Sequence, residues 1–385
     1  MNPLDRILSV IFFFAQWRIT VLWLRMARRR WPARVAPRRA IYVIDVVLAG
    51  GVIFSYTGLA YRLEVPEPVA AVMGGAVLCY LMAATAVLAL HTVVDAVRKR
   101  WAADLDPGRR RVLNAAGSAL MATPLAVLGY GALIQRTDFR VREIDVPLPG
   151  LPQDLDGFRL LHLSDIHLSA FLSEAELARV IDAARELRPH LAVMTGDLIS
   201  GPGDPLDAGI RQLARLQSDA GIFGCMGNHE RYAKAELYTA QAGARAGIQF
   251  LRSQSRQLRF GTAVINLAGV DYQSLTEKRS YLRGAERMVA PGAFNILLSH
   301  NPDVFPLAAQ QGYNLLLAGH THGGQVTIEI LQQGINPARF FTPFVHGLYR
   351  SGAAAAYVTR GIGTIGIPAR IGAPPEISVL RLRKA

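Results

Sequence analysis

Two kinds of apolar pattern divide this chain. Up to about residue 142 the apolar positions run together in long blocks, and beyond it they come as short runs separated by amphipathic stretches. Residues 41–60, 69–94 and 112–134 are each long enough to cross the hydrocarbon core of a bilayer, which takes roughly 20 apolar residues in a helix. Their internal glycines and Pro124 are tolerable, because neighbouring helices satisfy freed backbone groups. A fourth block, 7–24, is interrupted by Gln16 and Arg18 and is expected either to span or to lie in the interface. It has no small-residue cleavage site, so a removable signal peptide is not expected.

From about residue 143 the period changes. Pro147, Pro149, Gly150 and Pro152 read as a stiff connector. Strands are predicted at 158–163, 190–195, 222–226, 263–270, 293–299, 313–318, 354–360 and 376–382. Helices are predicted from Ser173, an N-cap with Glu176 three residues on, to about Arg188, and at 206–217 and 233–246. This alternation predicts α/β layers around a largely buried sheet. The expected division is a membrane domain at 1–142, with three or four transmembrane helices, and a second domain at 143–385.

Charge sharpens the division. The chain is 51% apolar with a formal net charge of +13. Residues 1–142 carry 19 Lys and Arg against 8 Asp and Glu, whereas 143–385 carry 23 against 21. The basic excess therefore belongs to the membrane third and does not mark a nucleic-acid-binding face. The 25–40 loop holds seven arginines and no acid, and the 95–111 loop holds Arg98, Lys99, Arg100, Arg109, Arg110 and Arg111. The loop between them, 61–68, sets Arg62 against Glu64 and Glu67. Positive loops stay in the cytoplasm, so residues 143–385 are expected on the extracytoplasmic side of a cell membrane. Arg136, Arg140 and Arg142 after the last span pull against this, or sit at a headgroup surface. Two cysteines, Cys79 and Cys225, imply no disulfide framework.

The chemistry lies in five short motifs in one order. They are Ser-Asp-Ile-His (164–167), Thr-Gly-Asp (195–197), Gly-Asn-His-Glu (227–230), Leu-Ser-His (298–300) and Gly-His-Thr-His (319–322). They supply Asp165, His167, Asp197, Asn228, His229, His300, His320 and His322, and six of the nine histidines lie in or beside them. Carboxylate, imidazole and amide oxygen are ligands of divalent metals. Seven ligands and a spare histidine, His229, make the inventory of a two-metal hydrolytic site. Asp165, Asp197, Asn228, His300 and His320 each follow a predicted strand, where α/β proteins gather their ligands. Each residue alone has a plainer reading as a helix cap, turn or solvated side chain. The full set in this order does not.

These motifs resemble those of the calcineurin-like metallophosphoesterase superfamily. The likeness is strongest over 155–325, and His320-Thr-His-Gly-Gly-Gln with the ending Val358-Thr-Arg-Gly-Ile-Gly resembles its bacterial membrane-associated phosphodiesterase branch, similar to UDP-2,3-diacylglucosamine hydrolase-like enzymes. The resemblance implies N-terminal transmembrane helices followed by a double β-sheet sandwich flanked by helices, the four-layer metallophosphoesterase fold. It implies one metal at Asp165, His167, Asp197 and His322 and a second at Asp197, Asn228, His300 and His320, with Asp197 bridging. It places catalytic His229 near the leaving group. Glu230 is expected to orient His229, with a surface helix acid as the alternative, and Arg360 to contact substrate phosphate or to serve packing. His162 reads as a core histidine and His346 as part of a loop.

The expected activity is hydrolysis of a phosphoester by a membrane-anchored enzyme through a metal-bridging hydroxide. Mixed nitrogen and oxygen ligation points to two divalent ions, manganese or zinc ahead of iron or magnesium. Partners expected are the lipid bilayer and a phosphoester substrate, lipid-linked by inference from location. The apolar stretch 340–348 reads either as a lining for an acyl or membrane-facing groove or as a core strand. Two alternatives stay open: an exported phosphatase or nucleotidase on soluble phosphates, and a non-catalytic metal-binding sensor. Oligomeric state has no signature in the sequence.

Overall fold

The computed structural model describes residues 3–56, 62–101, 106–330 and 333–385. The end of the expected 41–60 span (57–60), residue 61 of the loop that follows and residues 102–105 of the second basic loop lie outside them. The chain divides into two compact units, residues 1–132 with 366–368 and residues 133–365 with 369–385.

The first unit is helical: α1 (Pro3–Arg30), α2 (Ala36–Tyr56), α3 (Glu67–Trp101) and α4 (Pro107–Tyr130). Asp106 caps α4 by accepting from the amides of Gly108 and Arg109, with Pro107 at the first helical position, and Pro124 sits inside the helix. Among the described residues three stretches are long and apolar enough to cross a membrane: Val10–Arg28, Pro68–Arg100 and Pro107–Gln135. The interrupted block 7–24 is thus continuous helix. Gln16, which interrupts the pattern, donates to Asp45 Oδ1 at 2.6 Å and accepts from the Tyr80 hydroxyl at 2.7 Å, while Thr20 donates to the same Asp45 oxygen at 2.8 Å. Polar side chains on three apolar helices therefore satisfy one another, as hydrocarbon requires.

The second unit is two six-stranded sheets. One runs β1 (Arg140–Leu148), β14 (Glu376–Lys384), β2 (Arg159–Leu163), β3 (Leu191–Thr195), β4 (Ile222–Cys225), β5 (Ile248–Phe250). The other runs β12 (Gly347–Ser351), β13 (Ala354–Val358), β9 (Leu315–Ala318), β8 (Phe294–Leu298), β7 (Ala263–Gly269), β6 (Gln254–Phe260). Strands β2 to β5 are mutually parallel, as are β7, β8, β9 and β13. A short hairpin pairs β10 (Ile328–Ile330) with β11 (Gln333–Ile335).

Strand periodicity builds four layers. Leu160, Val193, Phe223 and Leu380 of the first sheet meet Ile265, Ile296, Leu315 and Tyr357 of the second in one core. Their neighbours Leu161, Leu163, Ala192 and Met194 face the other way, onto α5 (Glu174–Glu186) and α6 (Leu206–Leu213). Leu297, Leu316 and Ala356 likewise pack beneath α9 (Phe305–Gln311). Central strands buried on both faces read as continuous apolar runs, which is why they were predictable. The fold is a double β-sheet sandwich flanked by helices.

Several expectations are corrected in detail. The stretch read as a stiff connector begins inside a strand, since Pro147 and Leu148 end β1, which pairs with β14 from Arg140↔Glu376 to Leu148↔Lys384. Pro147 fits there because β1 is an edge strand. The helix expected at 233–246 is α8 (Glu236–Arg245), preceded by one turn, α7 (Asn228–Tyr232), that carries the Gly-Asn-His-Glu residues. The stretch 340–348 is not a core strand over most of its length: it begins in a 3-10 turn, Pro337–Phe340, and reaches β12 only at Gly347.

Candidate metal centre

The carboxyl ends of β2, β3, β4, β8 and β9 meet at one place. Five of the predicted ligands there adopt left-handed backbone: Asp165 (φ 50°), His167 (47°), Asp197 (56°), His320 (72°) and His322 (51°). Non-glycine residues pay roughly 1–2 kcal/mol each for that conformation. Such strain persists where surrounding contacts enforce it, and it clusters at functional sites. Here Asp165 N donates to Gly196 O at 3.0 Å and His167 N to Asp197 O at 3.0 Å, locking two loops side by side. Gly196 and Gly227 let the β3 and β4 loops touch. A Cβ on Gly196 would stand 2.4 Å from Gly227 N, and one on Gly227 would stand 2.0 Å from Asp197 Oδ1.

The side chains converge accordingly. Around Asp165, the carboxylate Oδ1 is 3.3 Å from His322 Nε2, which lies 3.1 Å from His167 Nε2. Around His300, Nε2 is 3.1 Å from Asn228 Oδ1 and 3.0 Å from His320 Nδ1. Asp197 Oδ2 reaches both sets, at 3.5 Å from His167 Nε2 and 3.0 Å from His300 Nε2. Donor atoms of Asp165, His167 and His322, of His167, Asp197 and His229, and of Asp197, His300 and His320 each fall within 4.8 Å of one another. Of the predicted residues, seven ligands and His229 come together, while Glu230 and Arg360 stand behind them.

Ring orientations follow from carbonyl acceptors. His300 Nδ1 donates to Thr195 O at 2.7 Å, which turns Nε2 to the cluster. His229 Nδ1 donates to Ser200 O at 2.6 Å, leaving Nε2 free. His167 Nδ1 lies 3.1 Å from Ser200 Oγ, so one serine holds two rings. Glu230 is fully buried, and its carboxylate accepts from the amides of Asp197 (2.9 Å), Leu198 (2.7 Å) and Gly227 (2.8 Å). It clamps the two ligand loops together, which corrects the expectation that it orients the His229 ring or is a surface acid.

Arg360 is largely buried, donates from Nη2 to His346 Nε2 at 3.0 Å and lies 3.9 Å from Glu376. Arg370, which the sequence did not single out, is completely buried and donates to the carbonyls of His322 (3.1 Å), Arg360 (2.8 Å) and Ala373 (3.1 Å). It fastens the Gly-His-Thr-His loop to the segment after β13. A lone arginine in a glycine-rich stretch carries no pattern that would have revealed this.

The electrostatics favour a cation. Burial alone would raise the Asp197 carboxyl, yet the charge and hydrogen bond of His300, with His167 beyond, hold it far below the usual carboxylate range. Burial would lower His300, but Asp197 overrides it and pushes that imidazole up to about 10. Burial takes His320 down to about 4, helped by His300, and His167 and His322 also fall well below the ordinary histidine value through burial. Neutral His167, His320 and His322 crowded around two carboxylates, with a proton on His300 that a cation at Asp197 would displace, form a donor set that suits divalent metal. His162 is a core histidine, 2.8 Å from Thr195 Oγ1 and pushed down to about 3 by burial.

The chain is similar in sequence to known proteins. The calcineurin-like phosphoesterase family profile matches residues 158–324. The uncharacterized metallophosphoesterase YkuE of Bacillus subtilis (strain 168) is 30% identical over 71% of this chain and 97% of its own length. The chain belongs to the calcineurin-like metallophosphoesterases. A transmembrane protein with metallophosphoesterase domain from Danio rerio is 31% identical over 66% of this chain and 60% of its own length. The phosphodiesterase YaeI of Escherichia coli (strain K12) is 28% identical over 58% of the chain and 82% of its own length. This metallophosphoesterase is thus a metal-dependent hydrolase of a family that binds two divalent metals. Its long apolar helices suggest a membrane protein.

Proposed function

We propose that this metallophosphoesterase is a membrane-anchored, dinuclear hydrolase of phosphoesters carried by lipid-linked molecules. Asp165, His167, Asp197 and His322 would hold one cation and Asp197, Asn228, His300 and His320 the other. The observation that carries this reading is Asp197 Oδ2 standing within 3.5 Å of a histidine nitrogen of each set. Two bound divalent cations supply Lewis acidity to the phosphoryl oxygens and an acidified water as nucleophile.

The chain's own groups do the rest. Asp197 offsets part of the repulsion between the cations, and the neutral Asn228 oxygen limits the negative charge around them. Because Ser200 fixes its Nδ1–H, His229 has Nε2 alone to present, and in the protonated ring this N–H donates to the departing oxygen. Glu230 keeps the Asp197 loop in register with the loop of Asn228 and His229. Manganese or zinc suits this mixed ligation best. The charge distribution of residues 1–142 supports an extracytoplasmic catalytic unit.

The test is a substrate panel. Full-length protein loaded with manganese or zinc is expected to hydrolyse bis-p-nitrophenyl phosphate and p-nitrophenyl phosphate, and a lipid-borne phosphoester faster than either. No turnover on any of them would remove the catalytic reading, and a preference for free nucleotides would replace the lipid-linked one. Signal from a reporter that is active only in the cytoplasm, fused at about residue 145, would overturn the orientation.

A further inference from the structure

Two adjacent phenylalanines stand out among the exposed apolar side chains of the second unit. Phe340 is 86% exposed, more than any other large apolar side chain among the described residues, and its neighbour Phe341 is 61% exposed. Leaving both in water forgoes about 1.5–3 kcal/mol each. They are not on a loose end. Asn336, buried just before them, accepts from Ala338 N at 2.9 Å and donates to Gly323 O at 2.9 Å and Thr327 Oγ1 at 2.8 Å. Thr342, buried just after them, donates to the Asp303 carboxylate. The amides of Phe341 and Thr342 close the turn on Ala338 O at 2.9 and 3.0 Å. One root of this turn is therefore the residue after His322, and the other is three residues after His300. The tip is held outward by the same loops that carry the candidate ligands.

The surroundings of the tip are cationic. Arg339 precedes the pair and is exposed. Across Asp303, Lys278 Nζ lies 3.9 Å from the carboxylate that Thr342 also contacts. Lys278 heads a surface with Arg279, Arg283 and the exposed Leu275, against one acid, Glu277, in the 275–283 stretch. This stretch is joined to the centre as well, because Asn301, next to His300, donates to Gln273 O at 2.7 Å and to the Tyr281 hydroxyl at 2.9 Å. Aromatic side chains flanked by Lys and Arg suit the interface of an anionic bilayer, where each cation near the surface adds about 1 kcal/mol.

We infer that the Arg339–Phe341 tip and the cationic 275–283 surface dock on the headgroup region of an anionic bilayer, so that the centre acts on phosphoesters embedded in that interface. This rests on the phosphoesterase reading of the site and names the physical state of its substrate. A bilayer is the fitting occupant because the same chain carries helices long and apolar enough to enter one. Tethering makes the docking intramolecular, so weak contacts suffice.

The experiment uses the full chain in phosphatidylethanolamine–phosphatidylglycerol nanodiscs. A nitroxide is placed at Phe340→Cys in a Cys79→Ser background, with Arg256→Cys on exposed strand β6 as the aqueous reference; Cys225 is buried and stays unlabelled. The label at 340 is expected to collide more with oxygen than with a nickel chelate, and the reference label the reverse. Equal nickel-chelate access at both positions overturns the docking, and so does a label shielded from both reagents, which would mean a protein contact. In the second arm, Phe340→Ser with Phe341→Ser is expected to slow hydrolysis of vesicle-borne hexadecyl p-nitrophenyl phosphate about tenfold or more. Soluble bis-p-nitrophenyl phosphate should change less than about twofold. Equal loss on both, or on neither, counts against the inference. If wild type hydrolyses neither ester, the reading of the centre fails while the nitroxide depths still decide the docking.

Discussion

The two units of this protein put their polar groups to opposite uses. In the helical unit, apolar side chains such as Val10, Val46 and Val112 face outward, and Gln16, Thr20, Asp45 and Tyr80 meet one another. In the sandwich unit, apolar side chains form the interior, and polar ones converge where strands end. The helical unit's polar groups complete one another's hydrogen bonds. Those of the candidate centre do so only in part: His300 pairs with Asp197, while imidazole nitrogens also crowd against one another on strained backbone. Such a cluster is explained by a guest. The contrast teaches how to separate a structural polar group from a functional one in this chain: ask whether its neighbours are complementary or competing.

Substitutions can break that contrast or sharpen it. The largest effect is expected from Asp197→Asn, which removes the carboxylate shared by both ligand sets. Turnover of bis-p-nitrophenyl phosphate should fall on the order of ten-thousandfold or more. Both cations should be depleted together in elemental analysis; full occupancy of either would show that Asp197 does not bridge. Next comes His229→Ala, with a loss of about two to four decades in turnover and unchanged metal content. Loss of a cation in that variant would make His229 a ligand instead.

A smaller effect is expected from Glu230→Gln, which sets an amide group against backbone N–H donors. Thermal unfolding should reveal about 1–3 kcal/mol of destabilisation, and cation affinity should weaken about 10–100-fold. A fully wild-type melting curve would contradict the clamp. The smallest is Gln16→Leu in the helical unit. Membrane hydrogen bonds of this kind are worth about 0.6–2 kcal/mol, and diester turnover should not change. A collapse of activity there would erase the distinction between the two units.

Much of this was legible in the chain. The central strands announced themselves because each is apolar on both faces, and the candidate ligands because their types recur where those strands end. Ser173 and Glu176 signalled their capping box, with the Ser173 amide 2.7 Å from Glu176 Oε2. Edge strands β1, β6 and β12 were not read as strands. Their outward positions carry Arg, Glu and Gln, so no apolar run marks them. Ser200, Arg370 and Asn336 were invisible for another reason. Arg370 and Asn336 act on main-chain atoms of other segments and Ser200 holds two distant histidine rings, and nothing local distinguishes them from surface residues. Glu230 lay in a recognised motif, yet its partners needed the fold, since Leu198 and Asp197 are brought to it by β3.

The most direct test is an anomalous-scattering map of the manganese-loaded protein. The account predicts two peaks, one bounded by Asp165, His167 and His322, the other by Asn228, His300 and His320, with the Asp197 carboxylate touching both. A single peak, or density that leaves Asp197 on one side only, would contradict it.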